Sequence, residues 1–284
     1  MPTLLVAAPA PLSGKTTVAV ACARALAKGG THVSLERAGD DANAESDRRT
    51  FRSLSSGSDG KILEVPAGDP ASALKERDGA RVLIVATPET TAEAAAMAKA
   101  AGEALAGVVL NRARASGAQS ADVGGVAPLA VIPADSQLAA PDLGAVAEAL
   151  KAEALNLAEI SPLSLGRLVI ASIAADPGQA YFDRTRAESV IVRSDKPDLQ
   201  LAAINAGAQC LIVTGELPVL SYVRDRVAED ETPFLRTDLD TRGAVEAVEA
   251  LYGATAFTAD AERLSRLDEL FEGANLGSLF SKSG

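Results

Sequence analysis

Gly14, Lys15 and Thr16 are the residues whose order most directly suggests chemistry. They follow an apolar run, Leu4 to Ala8, and precede a stretch with helical spacing of apolar residues. In such a strand–loop–helix unit, backbone N–H groups turn toward phosphate oxygens, a lysine reaches the outer phosphates and a hydroxyl holds Mg²⁺. The sequence therefore predicts a P-loop that binds a nucleotide. The candidate phosphate-binding residues are Ser13, Gly14, Lys15, Thr16 and Thr17.

The front of this loop departs from the usual G-x-x-x-x-G-K-[ST] pattern. Pro9 stands where the first glycine is expected. Proline has no N–H to donate and fixes φ near −65°, so this half of the loop cannot have the standard form. A chance Gly-Lys-Thr on a surface turn is the alternative interpretation, and Pro9 is its best support.

Further polar residues follow apolar strands downstream. Lys61 to Gly68 is predicted to be a strand that ends in a turn, and Glu64 lies within it, where a carboxylate is costly unless it is paired or binds a metal. Asn111 follows the apolar strand Leu105 to Leu110. Because ligands bind at the carboxyl ends of strands in open α/β sheets, Thr16, Glu64 and Asn111 are expected to converge.

Strands alternate with helices along the chain, which predicts an α/β fold with a doubly wound parallel sheet. A short strand from His32 to Leu35 and a helix from Glu45 to Leu54 belong to this pattern, as does the fully apolar strand Arg81 to Ala86. A second, smaller α/β set begins near residue 160. The predicted domains are 1–155 and 160–253, and 254–284 forms a terminal amphipathic helix and tail. That helix is expected to pack on one of the domains, on a second copy or on a partner.

Composition restricts the function classes. The net charge of −11 argues against binding to nucleic acid or to an anionic membrane surface. Cys22 and Cys210 are the only cysteines, and two separate, buried thiols fit a reducing compartment. A single histidine excludes multi-histidine metal sites. With no long apolar run and no signal-peptide pattern, we expect a cytoplasmic protein.

The order of these segments resembles a known arrangement. Residues 1 to about 150 resemble the dethiobiotin synthetase-like nucleotide-binding domain. Residues 160–253 resemble a DRTGG domain, chiefly through SVIVRSDKPDLQLAAINAGAQCLIVTG, in which SDKPD stands at the turn of the DRTGG string. The pair resembles the N-terminal region of long-form phosphate acetyltransferases and their stand-alone relatives.

The resemblance implies roles for individual residues. Asp47, in the pair Ser46-Asp47, would be an Mg²⁺ ligand, and Glu64 a second one. Together with Thr16 they would form a metal site made of hard oxygens. The Asn111-Arg112 pair resembles the strand-end Asn-Arg of the family, which makes Asn111 the residue that would read the adenine edge. The implied cofactors are ATP and Mg²⁺.

Departures from the family pattern limit the activity. Dethiobiotin synthetase has a substrate-handling lysine after the second strand, where this chain has Glu36-Arg37. The glycine-rich turn after Glu64 has become Val65-Pro66. The acetyltransferase catalytic domain is also missing from the sequence. Neither dethiobiotin synthetase nor phosphate acetyltransferase activity is therefore expected.

Three functional hypotheses remain open from the sequence. The first is a nucleotide-dependent regulatory or sensor protein, with slow ATP hydrolysis at most and a small-molecule effector at the second domain. The second is an ATP-dependent ligase-like enzyme that uses a phosphorylated intermediate and Arg37 as its substrate-binding cation. The third is a scaffold with a degenerate loop. A homodimer is compatible with each of them. No catalytic residue is identified.

Overall fold

The computed structural model describes residues 1–114, 122–155, 157–171, 178–274, 276 and 279–280. The chain divides into two compact units. The first comprises Met1–Leu138 and Ala256–Gly284, and the second Ala139–Thr255. The predicted α/β class, with a parallel-sheet domain followed by a smaller α/β domain, is confirmed. The units divide the chain at other residues than the predicted domains: residues 139–155 fall in the second unit, and the terminal segment, predicted as a separate part, falls in the first.

The first unit is built on a six-stranded parallel sheet in the order β2-β3-β1-β4-β5-β6. Its strands are β1 (Thr3–Ala7), β2 (Val33–Arg37), β3 (Gly60–Glu64), β4 (Arg81–Ala86), β5 (Leu105–Ala113) and β6 (Ala130–Pro133). The helices between them are α1 (Lys15–Lys28), α2 (Ala44–Leu54), α3 (Ala71–Lys75), α4 (Thr91–Ala101) and α5 (Ser136–Ala139), which lies at the unit boundary.

Both faces of this sheet are covered, which explains why Leu4 to Ala7 of β1 are all apolar. Leu4 and Val6 pack on the face that carries α1 and α2, whereas Leu5 and Ala7 pack on the face that carries α3 and α4. Successive side chains of a strand point to opposite faces, so a strand between two helical layers has no polar side. The two layers leave the carboxyl edge of the sheet as the place where polar groups gather.

The second unit has a five-stranded sheet in the order β7-β11-β10-β9-β8, in which β7 is antiparallel to β11 and the other pairs are parallel. Its strands are β7 (Glu153–Ala154), β8 (Leu168–Ile170), β9 (Ser189–Arg193), β10 (Cys210–Thr214) and β11 (Phe234–Thr237). Its helices are α6 (Leu143–Leu150), α7 (Leu157–Ile160), α8 (Gly178–Thr185), α9 (Pro197–Asn205), α10 (Ser221–Glu229) and α11 (Thr241–Glu249).

The last described helix, α12 (Ala261–Leu270), belongs to the first unit. Its buried Leu267 joins the same apolar cluster as Val18 of α1. Arg24 of α1 donates two hydrogen bonds to Asp268, at 2.9 and 2.7 Å. The helix therefore packs on its own chain, the first of the alternatives that its amphipathic pattern left open. Among the described residues, no helix combines the length and apolarity needed to cross a bilayer.

Candidate functional site at the carboxyl edge of the first sheet

The loop between β1 and α1 has an unusual backbone. Gly14 lies in the left-handed region at φ 85° and caps α1, whose helical residues begin at Lys15. Leu12 adopts the same region at φ 57°, which is rare for a residue with a side chain. Left-handed residues alternating with others make concave arrays of N–H groups. The N-terminus of α1 adds N–H groups that have no partner within the helix.

Two contacts brace this loop. The Ser13 hydroxyl donates to the Ala10 carbonyl at 2.7 Å, and Asn111 Nδ2 donates to the Ser13 carbonyl at 3.0 Å. Asn111 lies in β5, so the loop is tied to a strand two positions away from β1 in the sheet. A Cβ on Gly14 would lie 2.2 Å from Asn111 Nδ2, which leaves no room for a side chain there.

Thr16 and the two predicted carboxylates come together at the sheet edge. The Thr16 hydroxyl lies 2.8 Å from Glu64 Oε2 and 3.3 Å from Asp47 Oδ2. Glu64 is the last residue of β3, and Asp47 sits in the first turn of α2, which Phe51 anchors in the core. Both carboxylates are buried, with relative exposures of 3% and 2%.

Arg37 fills the space between these oxygens. Its Nη1 lies within hydrogen-bonding distance of Thr16 Oγ1 at 3.4 Å, of Glu64 Oε1 at 3.0 Å and of Asp47 Oδ2. Its Nη2 donates to the exposed Asp41. The strand β2 extends two residues beyond the predicted Leu35, in register with β3, so Arg37 stands directly beside Glu64.

Charge and burial oppose each other in this cluster. Lys15 is also buried, with its Nζ 3.9 Å from Glu64 Oε1. Burial raises the pKa of the Glu64 and Asp47 carboxyls, and the Arg37 guanidinium opposes that rise in both. Burial lowers the pKa of the Lys15 ammonium, although the Glu64 charge counteracts it. Two cations and two carboxylates thus balance one another away from water.

The predicted site residues are therefore brought together, and Arg37 joins them in a position that was not predicted. Ser13, Gly14 and Lys15 form the loop and helix start, and Thr17 is half-buried in the first turn of α1. Thr16 meets the two carboxylates, while Asn111 contacts the loop. Arg37 was expected on the substrate side, as the cation of a ligase-like enzyme, but its guanidinium lies inside the oxygen cluster.

The oxygen donors of this cluster are of the type that a hard divalent cation prefers. Within the described part of the chain, no group of three or more His, Cys, Asp or Glu side chains is placed to hold a metal. The cluster offers two carboxylates and one hydroxyl, and Mg²⁺ takes few protein ligands because it keeps waters and phosphates. Both carboxylates lie out of contact with bulk water. The residues fit a magnesium ion on chemistry and burial, but only where the guanidinium now lies.

Comparison with known proteins identifies part of the second unit. The model of the DRTGG domain matches residues 145–251, so the chain contains a DRTGG domain. This domain begins before the predicted residue 160 and includes most of α6, in line with the unit boundary at Ala139.

A solved structure shows a weaker likeness. It contains the CBS and DRTGG domains of the regulatory region of Clostridium perfringens pyrophosphatase, complexed with the activator diadenosine tetraphosphate. It is 22% identical, and the match covers 45% of this chain and 56% of that one at a TM-score of 0.36. The chain thus spans little more than half of that structure, and at this TM-score the likeness carries no conclusion about ligands.

Proposed function

We propose that the first unit binds ATP together with Mg²⁺, and that the chain is a nucleotide-dependent regulatory or sensor protein. The observation that carries this proposal is the meeting of the Thr16 hydroxyl with two buried carboxylates, Asp47 and Glu64, beside a cationic helix start. The DRTGG domain in the second unit is the part to which we assign effector binding.

The loop supplies what phosphate oxygens require. The left-handed conformations of Leu12 and Gly14 and the N-terminus of α1 favour an anion, because each directs N–H groups or a positive dipole end toward it. Leu12 holds a conformation that costs an L-residue roughly 1–2 kcal/mol. Strain of this kind persists where the surrounding structure enforces it, often at ligand sites. Lys15 would neutralise the outer phosphates.

The metal would be held by Thr16, Asp47 and Glu64, and it would supply charge neutralisation to the phosphates. Asn111 has a different contact from the one its predicted role requires. Its Nδ2 braces the Ser13 carbonyl, so a role in reading adenine would fall to Oδ1, which can accept from an exocyclic amine.

The cluster favours a sensor over a ligase-like enzyme. A ligase would need a free cation for its carboxylate or amine substrate, and Arg37 is engaged with Asp47, Glu64 and Thr16 instead. Asp47 and Glu64 are also committed to a cation, so neither is placed as a general base for water. We therefore expect tight binding with slow hydrolysis.

The test is a titration of the purified chain with a fluorescent ATP analogue in the presence of Mg²⁺, followed by a phosphate-release assay. Lys15→Ala should abolish measurable binding. Lys28→Ala is the matched control, since Lys28 lies in the last turn of the same helix and is largely exposed. It should bind like the wild type.

The outcomes separate the three hypotheses. Binding with negligible phosphate release supports the sensor. Release that a carboxylate or amine metabolite accelerates would replace it with the ligase-like enzyme. Absence of binding in the wild type would leave only the scaffold.

A further inference from the structure

Arg37 occupies the place that the three predicted metal ligands share. Its Nη1 lies within hydrogen-bonding distance of one oxygen each from Thr16, Asp47 and Glu64. The side chain is 8% exposed, so this is an interior position rather than a surface contact. One buried atom of the cluster, Arg37 Nε, has no hydrogen-bond partner among the described residues. The guanidinium thus lies among the oxygens of the cluster with one of its donors left without a hydrogen bond.

A guanidinium and a divalent cation cannot share this position. Mg²⁺ binds oxygen at about 2.0–2.1 Å. The three oxygens all lie within hydrogen-bonding distance of Nη1, at 3.0 Å for Glu64 Oε1, so they cannot also close around an ion while Nη1 stays. Arginine also stays protonated at any relevant pH, so it cannot yield by losing its charge. One cation has to leave before the other enters.

We propose that Arg37 is a built-in competitor for the divalent cation, and that metal loading requires its guanidinium to withdraw from Thr16, Asp47 and Glu64. This inference rests on the proposed function in taking those three residues as a cation site. The cluster is electrically balanced by Lys15 and Arg37 without any metal, so the site has little need of one. A divalent cation without nucleotide would have to displace the guanidinium, and the free energy of breaking those ion pairs would weaken its binding.

The route of withdrawal is visible at the other end of the guanidinium. Nη2 already pairs with Asp41, which is 59% exposed and lies four residues further along the chain. Arg37 ends β2 and is followed closely by Gly39 at φ 79°, where the chain turns. The side chain can therefore move toward water and keep a carboxylate partner. Phosphate oxygens would offer it a second partner, because arginine binds phosphate through paired N–H donors.

The consequence is that the metal and the nucleotide should bind cooperatively. Without nucleotide, Arg37 should hold divalent cations out. When Arg37 is removed, Asp47 and Glu64 lose their shared partner and should accept a cation directly.

The test measures Mn²⁺ binding without nucleotide, by the loss of the free-Mn²⁺ signal in electron paramagnetic resonance. Arg37→Gln and Arg37→Ala should each bind one Mn²⁺ at least about tenfold more tightly than the wild type, because Lys15 alone then compensates two buried carboxylates. Arg49→Gln is the control for loss of an arginine, since Arg49 is exposed and pairs with the exposed Glu45 on the same helix, away from the cluster. It should match the wild type.

Adding Glu64→Gln to Arg37→Gln should remove the gain, which separates this site from other acidic positions on the chain. A thermal melt supplies a second readout, because Mn²⁺ should raise the Tm of Arg37→Gln and not of the wild type. Equal Mn²⁺ affinity in wild type and both Arg37 variants would overturn the inference, as would a gain that survives Glu64→Gln. The ATP-analogue titration of the wild type reports on the proposed function separately, so either idea can fail alone.

Discussion

Replacing Gly14 by alanine tests the geometry of the loop most directly. Gly14 has a left-handed backbone at φ 85° and a close neighbour, because a Cβ there would lie 2.2 Å from Asn111 Nδ2 and clash with it. The amide of Asn111 cannot retreat freely, since it is buried and donates to the Ser13 carbonyl. The substitution therefore strains the backbone and breaks a buried hydrogen bond at the same time.

The magnitude follows from these two terms. A left-handed L-residue costs roughly 1–2 kcal/mol. The loss of a buried hydrogen bond, with its partner left unsatisfied, adds about 1–3 kcal/mol. We expect Gly14→Ala to lower the free energy of unfolding by about 2–5 kcal/mol and the Tm by roughly 10 °C.

Gly30 provides a matched control within the same unit. It has nearly the same backbone, φ 82°, and no atom within 4 Å of the position a Cβ would take. Gly30→Ala should therefore cost only the backbone term, about 1–2 kcal/mol. The assay is thermal unfolding of both variants beside the wild type, and the two-unit chain requires that the same transition be compared in each.

A double-mutant cycle then isolates the clash. An Asn111→Ala background removes the amide that a Cβ would clash with, so Gly14→Ala should then destabilise the chain about as much as Gly30→Ala does. If Gly14→Ala is no more destabilising than Gly30→Ala in the wild-type background, the predicted clash with Asn111 is refuted. If its cost is unchanged by Asn111→Ala, the strain lies elsewhere in the loop.

Three further predictions concern other parts of the chain. Burial raises the pKa of Cys22 and Cys210 to about 12, so neither thiol should react with a disulfide reagent at neutral pH until the chain is unfolded. Because the unfolded thiols ionise from 9.0, stability should fall as the pH rises from there toward about 12, by about 1.4 kcal/mol per thiol per pH unit. Asp268→Asn should cost about 1 kcal/mol and speed hydrogen exchange in α12, because the Arg24 hydrogen bond lowers the pKa of Asp268. That contribution is present above the ordinary pKa of 3.8 and is lost as the pH falls through the lowered value, which an acid titration of wild type against Asp268→Asn would show. Gln200→Ala should cost about 2 kcal/mol in a denaturant titration, because the fully buried Gln200 amide donates to two backbone carbonyls.

The sequence predicts most of the fold because its strands are buried on both sides. A run such as Val82 to Ala86 has no polar face, as expected of a strand in a sheet that helices cover on both sides. The division into units was harder to predict. The chain leaves the first unit at Leu138, within a short helix, and returns to it at Ala256. The first boundary, drawn from the polar residues and the proline of 156–164, lies later in the chain than Leu138, whereas the second, at 253, lies close to Thr255.

The predicted oxygens of the site came together for a topological reason, and Arg37 was misplaced for an electrostatic one. Topology brings Thr16, Glu64 and Asn111 to one edge of a parallel sheet whatever their side chains do. The direction of the Arg37 side chain depends instead on the charge of the residues around it. Once Asp47 and Glu64 are taken as buried, Lys15 alone leaves one negative charge of the cluster uncompensated, and burying an unpaired charge is far costlier than burying a pair. That count calls for a second cation within reach, and Arg37 is the one that ends the strand beside Glu64. Because the guanidinium compensates the charge of the buried carboxylates, a metal ion would have to displace it in order to bind them.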